Sequence, residues 1–119
     1  DLPKDTPKKV IEDFREAELS FNVRAYKASA AMSRRALQQA LEDRGATKGS
    51  KLMDQIDELK QRNLIDNSTA SLAHGIRQFG NFGSHPKDDL LSEINQEYAK
   101  LALEVVKIII KELYGQPKT

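Results

Sequence analysis

Apolar residues along this chain recur at intervals of three and four, and no stretch alternates with period two. That pattern belongs to helices packed through one face, so no strand is expected. Thr6-Pro7 offers an N-cap followed by proline in the first helical position, with Val10, Ile11, Phe14 and Leu19 after it. From about Phe21 to Asp43 there is neither proline nor glycine, and Val23, Ala30, Leu37 and Leu41 lie along one stripe. The pattern predicts one long helix of about six turns, closed by Gly45. Ser50 is placed to cap the next helix, with Leu52, Ile56 and Leu59 as its stripe, and Asn63 to Asn67 form a break.

Asn67 or Ser68 opens a fourth helix carrying Leu72, Ile76 and Phe79, which Gly80, Gly83 and Pro86 end or distort. A last helix from about Ser92 to Tyr114 carries Leu91, Ile94, Tyr98, Leu101, Val105 and Ile108 at helical spacing. The fold class is all-α: an antiparallel bundle of four to five helices joined by short loops. One domain spans residues 1–119, with its core at about 7–114 and frayed ends at 1–6 and 116–119.

Composition narrows the chemistry. The 119 residues suit one domain with one core. Cysteine is absent, which excludes disulfides, thiolate metal sites and thiol catalysis and suits a cytoplasmic protein. Nineteen bases against 18 acids exert no overall pull on nucleic acid, so such a partner must meet a local patch. The longest apolar run, Val105-Val106 and Ile108 to Ile110, is broken by Lys107 and is too short to cross a membrane. The chain opens at Asp1 without an initiator methionine and reads as a fragment or trimmed form. Two histidines eleven apart with no cysteine make no zinc site, and no cofactor motif is present. His74, beside Gly75, reads as a surface histidine.

Charge is uneven. No acid lies between Glu18 and Glu42, where Arg24, Lys27, Arg34 and Arg35 fall, nor between Asp66 and Asp88, which holds Arg77, Lys87, His74 and His85. These are the two stretches suited to an anion; the plain alternative is that both are solvated faces. Arg34 falls four after Ala30 and three before Leu37, on the apolar stripe, while Arg35 is turned about 100° away. A guanidinium in that position needs an acceptor. Either it ties down backbone carbonyls or Asn81, or it reaches a ligand phosphate.

The densest signal is the run from Ile76 to Pro86, in which Arg77, Asn81 and His85 surround a backbone kept free of bulk by Gly80 and Gly83. Arginine offers a fork of donors to phosphate oxygens, and histidine moves a proton near neutral pH. His85 also suits a structural role in the turn, bonded to the long helix beside Phe79 or Phe82.

Arg34-Arg35-Ala36-Leu37 on a long helix, then Leu52, Ile56 and Leu59, then Ile76-Arg77, Gly80-Asn81 and His85, resembles the HEPN-like group. In particular, it is similar to a bacterial domain of unknown function found alone or attached to restriction and defence proteins. The resemblance spans about Ala17 to Tyr114. It implies a helical bundle, often dimeric, and in active members an arginine and a histidine that cleave RNA without metal. By position, Arg77 would stabilise the phosphorane and His85 would act as general acid or base on the ribose 2′-hydroxyl. Asn81 would orient His85 or donate to a phosphate oxygen.

The interval from Arg77 to His85 is longer than in active members. On an unbroken helix it would separate them by about 12 Å and about 80°. Only a bend at Gly80, Gly83 or Pro86 lets one phosphate meet both. The resulting expectation is a non-catalytic interaction, dimerisation or RNA-binding module. A metal-independent endoribonuclease using Arg77 and His85 is the alternative, and apolar residues on more than one face of the last helix favour a homodimer or a neighbouring domain as partner.

Overall fold

The computed structural model describes residues 1–77 and 95–115, with Arg77 described by its backbone alone. Five helices make up the described residues: α1 (Lys8–Asn22), α2 (Tyr26–Asp43), α3 (Leu52–Gln61), α4 (Asn67–Arg77) and α5 (Gln96–Tyr114). No strand occurs among them, and the domain is an all-α helical bundle.

The long helix expected from Phe21 breaks. α1 ends at Asn22, Arg24 adopts a left-handed φ of 65°, and α2 starts at Tyr26. Arg24 N–H donates to the Phe21 carbonyl and Ala25 N–H to the Ser20 carbonyl, the two bonds of a Schellman closure. Arg24 rather than glycine or asparagine takes the left-handed position, so that position carries no mark in the sequence. Val23, expected on the buried stripe, is 75% exposed. The α2 and α3 ends close in the same way at Gly45 (φ 109°) and Asn63 (φ 60°).

Helix starts also differ in detail. Pro7 rather than Thr6 occupies the α1 N-cap, and Thr6 is buried with its hydroxyl unbonded among the described residues. Ser50 does not cap α3. Its hydroxyl donates to the Thr47 carbonyl at 2.8 Å, and Lys51 takes the cap position. The α4 start is capped by Asp66, whose Oδ1 accepts from Thr69 N–H at 2.7 Å, and Asn95 caps α5 through Tyr98 N–H at 3.0 Å.

α1 and α2 form an antiparallel hairpin at close range because the contact is built from small residues. Ala17, Ser29, Ala30 and Ser33 are buried there, and Ser29 Oγ donates to the Ala17 carbonyl at 2.8 Å. α4 lies antiparallel to α5: Thr69 Oγ1 donates to Glu112 Oε2 at 2.6 Å, and Tyr98 Oη to the Ile76 carbonyl at 2.8 Å. The core runs through Val10, Phe14, Leu37, Leu41, Ile56, Leu59, Val106, Ile109 and Ile110. Residues 1–6, expected to fray, place Leu2 against that core.

Two expected stripes are rotated. On α5 the buried face is Ala99, Ala102, Val105, Val106, Ile109, Ile110 and Leu113, while Leu101 and Ile108 face outward. On α4 the buried positions are Thr69, Ala70, Ala73 and Ile76, and Leu72 faces outward. Alanines carry a core face as well as leucines do, but they stand out less in a sequence. Phe79, Leu91 and Ile94 lie outside the described residues.

Candidate functional site

Of the residues singled out in the sequence, Arg34 is fully described. Arg77 forms the last described position of α4, and Gly80, Asn81 and His85 lie outside the described residues, as does any approach of Arg77 to His85. Arg34 is half-buried at the border of the α2 core face, next to Leu37 and Leu41. Its Nε is buried without a hydrogen-bond partner among the described residues.

Arg34 and Arg35 line one wall of an open cleft of about 610 Å³ on the outer side of α2. Gln38, Gln39 and Glu42 follow one and two turns on, and Gly49 of the α2–α3 loop closes the far end. Arg35 meets Asp13 of α1 through a 3.4 Å contact; the guanidinium is largely exposed, whereas the carboxylate is nearly buried and its Oδ2 has no hydrogen-bond partner among the described residues.

The floor beside this cleft is a polar knot absent from the sequence-based candidates. Gln55 on α3 is fully buried. Its Nε2 donates to Glu42 Oε2 at 2.8 Å and to the Thr47 carbonyl at 3.0 Å, and its Oε1 accepts from Gln38 Nε2 at 3.2 Å. Glu58 then grips the same loop, accepting from Thr47 N–H at 2.9 Å and from Arg62 at 2.9 Å. The Thr47 bonds, with Arg62 nearby, hold the Glu58 carboxyl below the usual carboxylate range despite some desolvation. Loop residues 45–50, which superficially resemble a phosphate loop, are thus committed to structure. A β-carbon on Gly45 would sit 2.5 Å from Arg62 Nη1.

His74 is not a plain surface histidine. It is half-buried, and its Nε2 lies 2.8 Å from Asp57 Oδ1, joining α4 to α3. Among the described residues no cluster of three or more histidine, aspartate or glutamate side chains is placed to hold a metal ion. No helix among them is long and apolar enough to cross a membrane.

A family model described as a domain of unknown function, DUF4145, matches residues 15–119. The chain belongs to that family. No curated protein and no solved structure matches it. The match covers the α2 cleft, α4 and α5 of this DUF4145 domain, together with the stretch that carries Gly80, Asn81 and His85.

The sequence pointed to Arg34 through its place on the apolar stripe. It could not point to Gln55 or Glu112, because a buried polar residue is identified by its partners. Those partners lie on other helices: Glu42 for Gln55, Thr69 for Glu112.

Proposed function

We propose that this DUF4145 domain is a HEPN-like, non-catalytic interaction module that pairs with a second copy of itself along the outer face of α4 and α5. The observation that carries this reading is an apolar patch left uncovered on the α4–α5 seam. Leu72, Leu101 and Ile108 are 44%, 51% and 47% exposed. The Thr69–Glu112 bond fixes the register, and from it Leu72 is turned about 60° on α4, on the side opposite His74. Leu101 and Ile108 lie about 20° and 40° from Glu112 on α5, away from the core face. The three side chains therefore share one outward surface.

Setting Leu101 against Ile108 of an antiparallel second copy pairs the two exposed apolar side chains of one copy with those of the other. The contact is small, so association is weak, on the order of micromolar. Sedimentation equilibrium of the wild type should show a dimer that the exposed double variant Leu101→Glu, Ile108→Glu abolishes without a change in helicity. A wild type that stays monomeric at about a hundred micromolar overturns the reading.

The cytoplasmic, bacterial and defence-linked setting belongs to the same reading. It rests on the cysteine-free composition and the resemblance to the HEPN-like group. The catalytic alternative, RNA cleavage without metal by Arg77 and His85, rests on the resemblance to the HEPN-like group alone. Incubation with mixed RNA in EDTA decides it: cleavage that is absent, or equal in His85→Ala, ends that alternative.

A further inference from the structure

We infer that the cavity lined by Arg44 and Glu112, at one end of the bundle, is a binding site for a free apolar α-amino acid. Arg44 holds the carboxylate, Glu112 the ammonium, and Leu64 with Leu113 the side chain. The inference does not rest on self-association, because it asks nothing of Leu72, Leu101 or Ile108.

The cavity follows from where three helices stop. α2 ends at Asp43, α3 at Gln61 and α5 at Tyr114. Arg44, Asn63 and Leu64, just beyond the first two ends, meet Glu112 and Leu113 of the third around about 380 Å³. That is near the small end of ligand pockets and ample for one amino acid. Leu113 is buried and Leu64 packs against the core, which gives the cavity an apolar base. Along α5, Glu112 lies about 100° to one side of Leu113 and Tyr114 about 100° to the other. The Arg44 guanidinium sits over the Tyr114 ring, 5.6 Å from its centre. Cation and carboxylate therefore flank the leucine from opposite sides.

Both charges lack an ionic partner among the described residues. Glu112 Oε1 accepts from Asp66 N–H at 2.8 Å, and its Oε2 accepts from the Thr69 hydroxyl at 2.6 Å. Both donors are neutral, so the half-buried carboxylate keeps its whole charge. A carboxylate accepts about four hydrogen bonds, and these use two. Beside Arg44, Asp43 Oδ2 is bonded to the Tyr114 hydroxyl at 2.7 Å. The ring meets Arg44 through the π face, and the N–H donors of a guanidinium lie in its plane, open to a second partner.

Opposite charges that share a cavity without pairing suit a ligand that carries both signs. A plain anion is repelled by Glu112 and a plain cation by Arg44. An α-amino acid meets both walls at once. Its carboxylate fits the arginine fork. Its ammonium brings three donors, enough for the open lone pairs of Glu112 and the side-chain carbonyl of Asn63. The C-terminal ends of α2, α3 and α5 carry partial negative charge and favour the ammonium further. An apolar side chain then leaves water against Leu64 and Leu113.

Titration of the isotope-labelled full chain with L-leucine, followed through backbone amide shifts, tests the site. Saturable shifts are expected at Arg44, Asn63, Leu64 and Glu112. Two analogues probe the charges without altering the protein: isocaproate lacks the ammonium, and L-leucinamide lacks the carboxylate. Each is expected to bind about tenfold more weakly than leucine, or worse, and so is leucine to Arg44→Gln. Arg44 is exposed, so this variant keeps the fold, which circular dichroism checks.

Isocaproate binding as tightly as leucine marks a site for anions alone, and leucinamide doing so marks one for cations alone; either overturns the inference. It is likewise overturned by an absence of saturable shifts up to about ten millimolar leucine, or by equal affinity in wild type and Arg44→Gln. Sedimentation reads a different property, so this inference and the self-association reading stand or fall separately.

Discussion

The Tyr98 hydroxyl donates to the Ile76 carbonyl at 2.8 Å, so the first turn of α5 is pinned to the last described turn of α4. This bond sets the two points between which the stretch bearing Gly80, Asn81 and His85 is connected. Arg77 follows the acceptor directly. Tyr98→Phe removes the donor and keeps the ring. It should cost about 1 kcal/mol in urea denaturation, the usual net worth of such a bond. An unchanged midpoint would show that water replaces the phenol without loss.

Gln55 makes three side-chain hydrogen bonds, to Glu42, the Thr47 carbonyl and Gln38. Gln55→Leu keeps the volume but removes the 2.8 Å donor from Glu42 Oε2, which is left with Gly49 N–H at 3.5 Å, and one of the donors to the Thr47 carbonyl, which keeps the Ser50 hydroxyl. The expected loss is about 1–3 kcal/mol, because three hydrogen bonds of a buried amide are removed together. Urea denaturation measures it. The same variant should loosen Gly49 at the end of the α2 cleft, read as faster amide exchange in residues 45–50.

Arg24 holds a left-handed conformation that glycine adopts freely. Arg24→Gly should therefore stabilise the domain by about 0.5–1 kcal/mol, less whatever the added freedom of the unfolded chain removes. Gly45→Ala should act in the opposite sense, since its φ of 109° and the nearby Arg62 Nη1 both oppose a β-carbon. Thermal denaturation of the pair tests the sign of each change.

Alkaline stability should depend on Tyr98 and Tyr114. Burial raises both phenols above their ordinary value of 10.0, and the Tyr114 bond to Asp43 Oδ2 at 2.7 Å raises that group further. A group with a raised folded-state value contributes its stability in full below the unfolded value and loses it as pH rises further. The melting temperature should accordingly fall above about pH 10. Tyr114→Phe should make that decline shallower, although it also removes the bond to Asp43. Melting curves between about pH 9 and 11 compare the two slopes.

Hydrophobic spacing and its punctuation by themselves determined the helical class, the α3 stripe of Leu52, Ile56 and Leu59, and the stop at Gly45. Each of these follows from local periodicity or a glycine in a left-handed turn. Only the tertiary structure decided the break at Arg24, because a non-glycine residue in that conformation is sustained by packing and carries no local mark. It also decided which side of α5 is covered. Leu101 and Ile108 read as core by spacing, yet the neighbouring helices lie against the alanine-bearing side, and periodicity does not say where neighbours stand. Arg34 was legible as an arginine beside apolar positions. The cleft it shares with Arg35, Gln38 and Gln39, and the buried Gln55 beneath, arise only when α2, α3 and their loop are brought together.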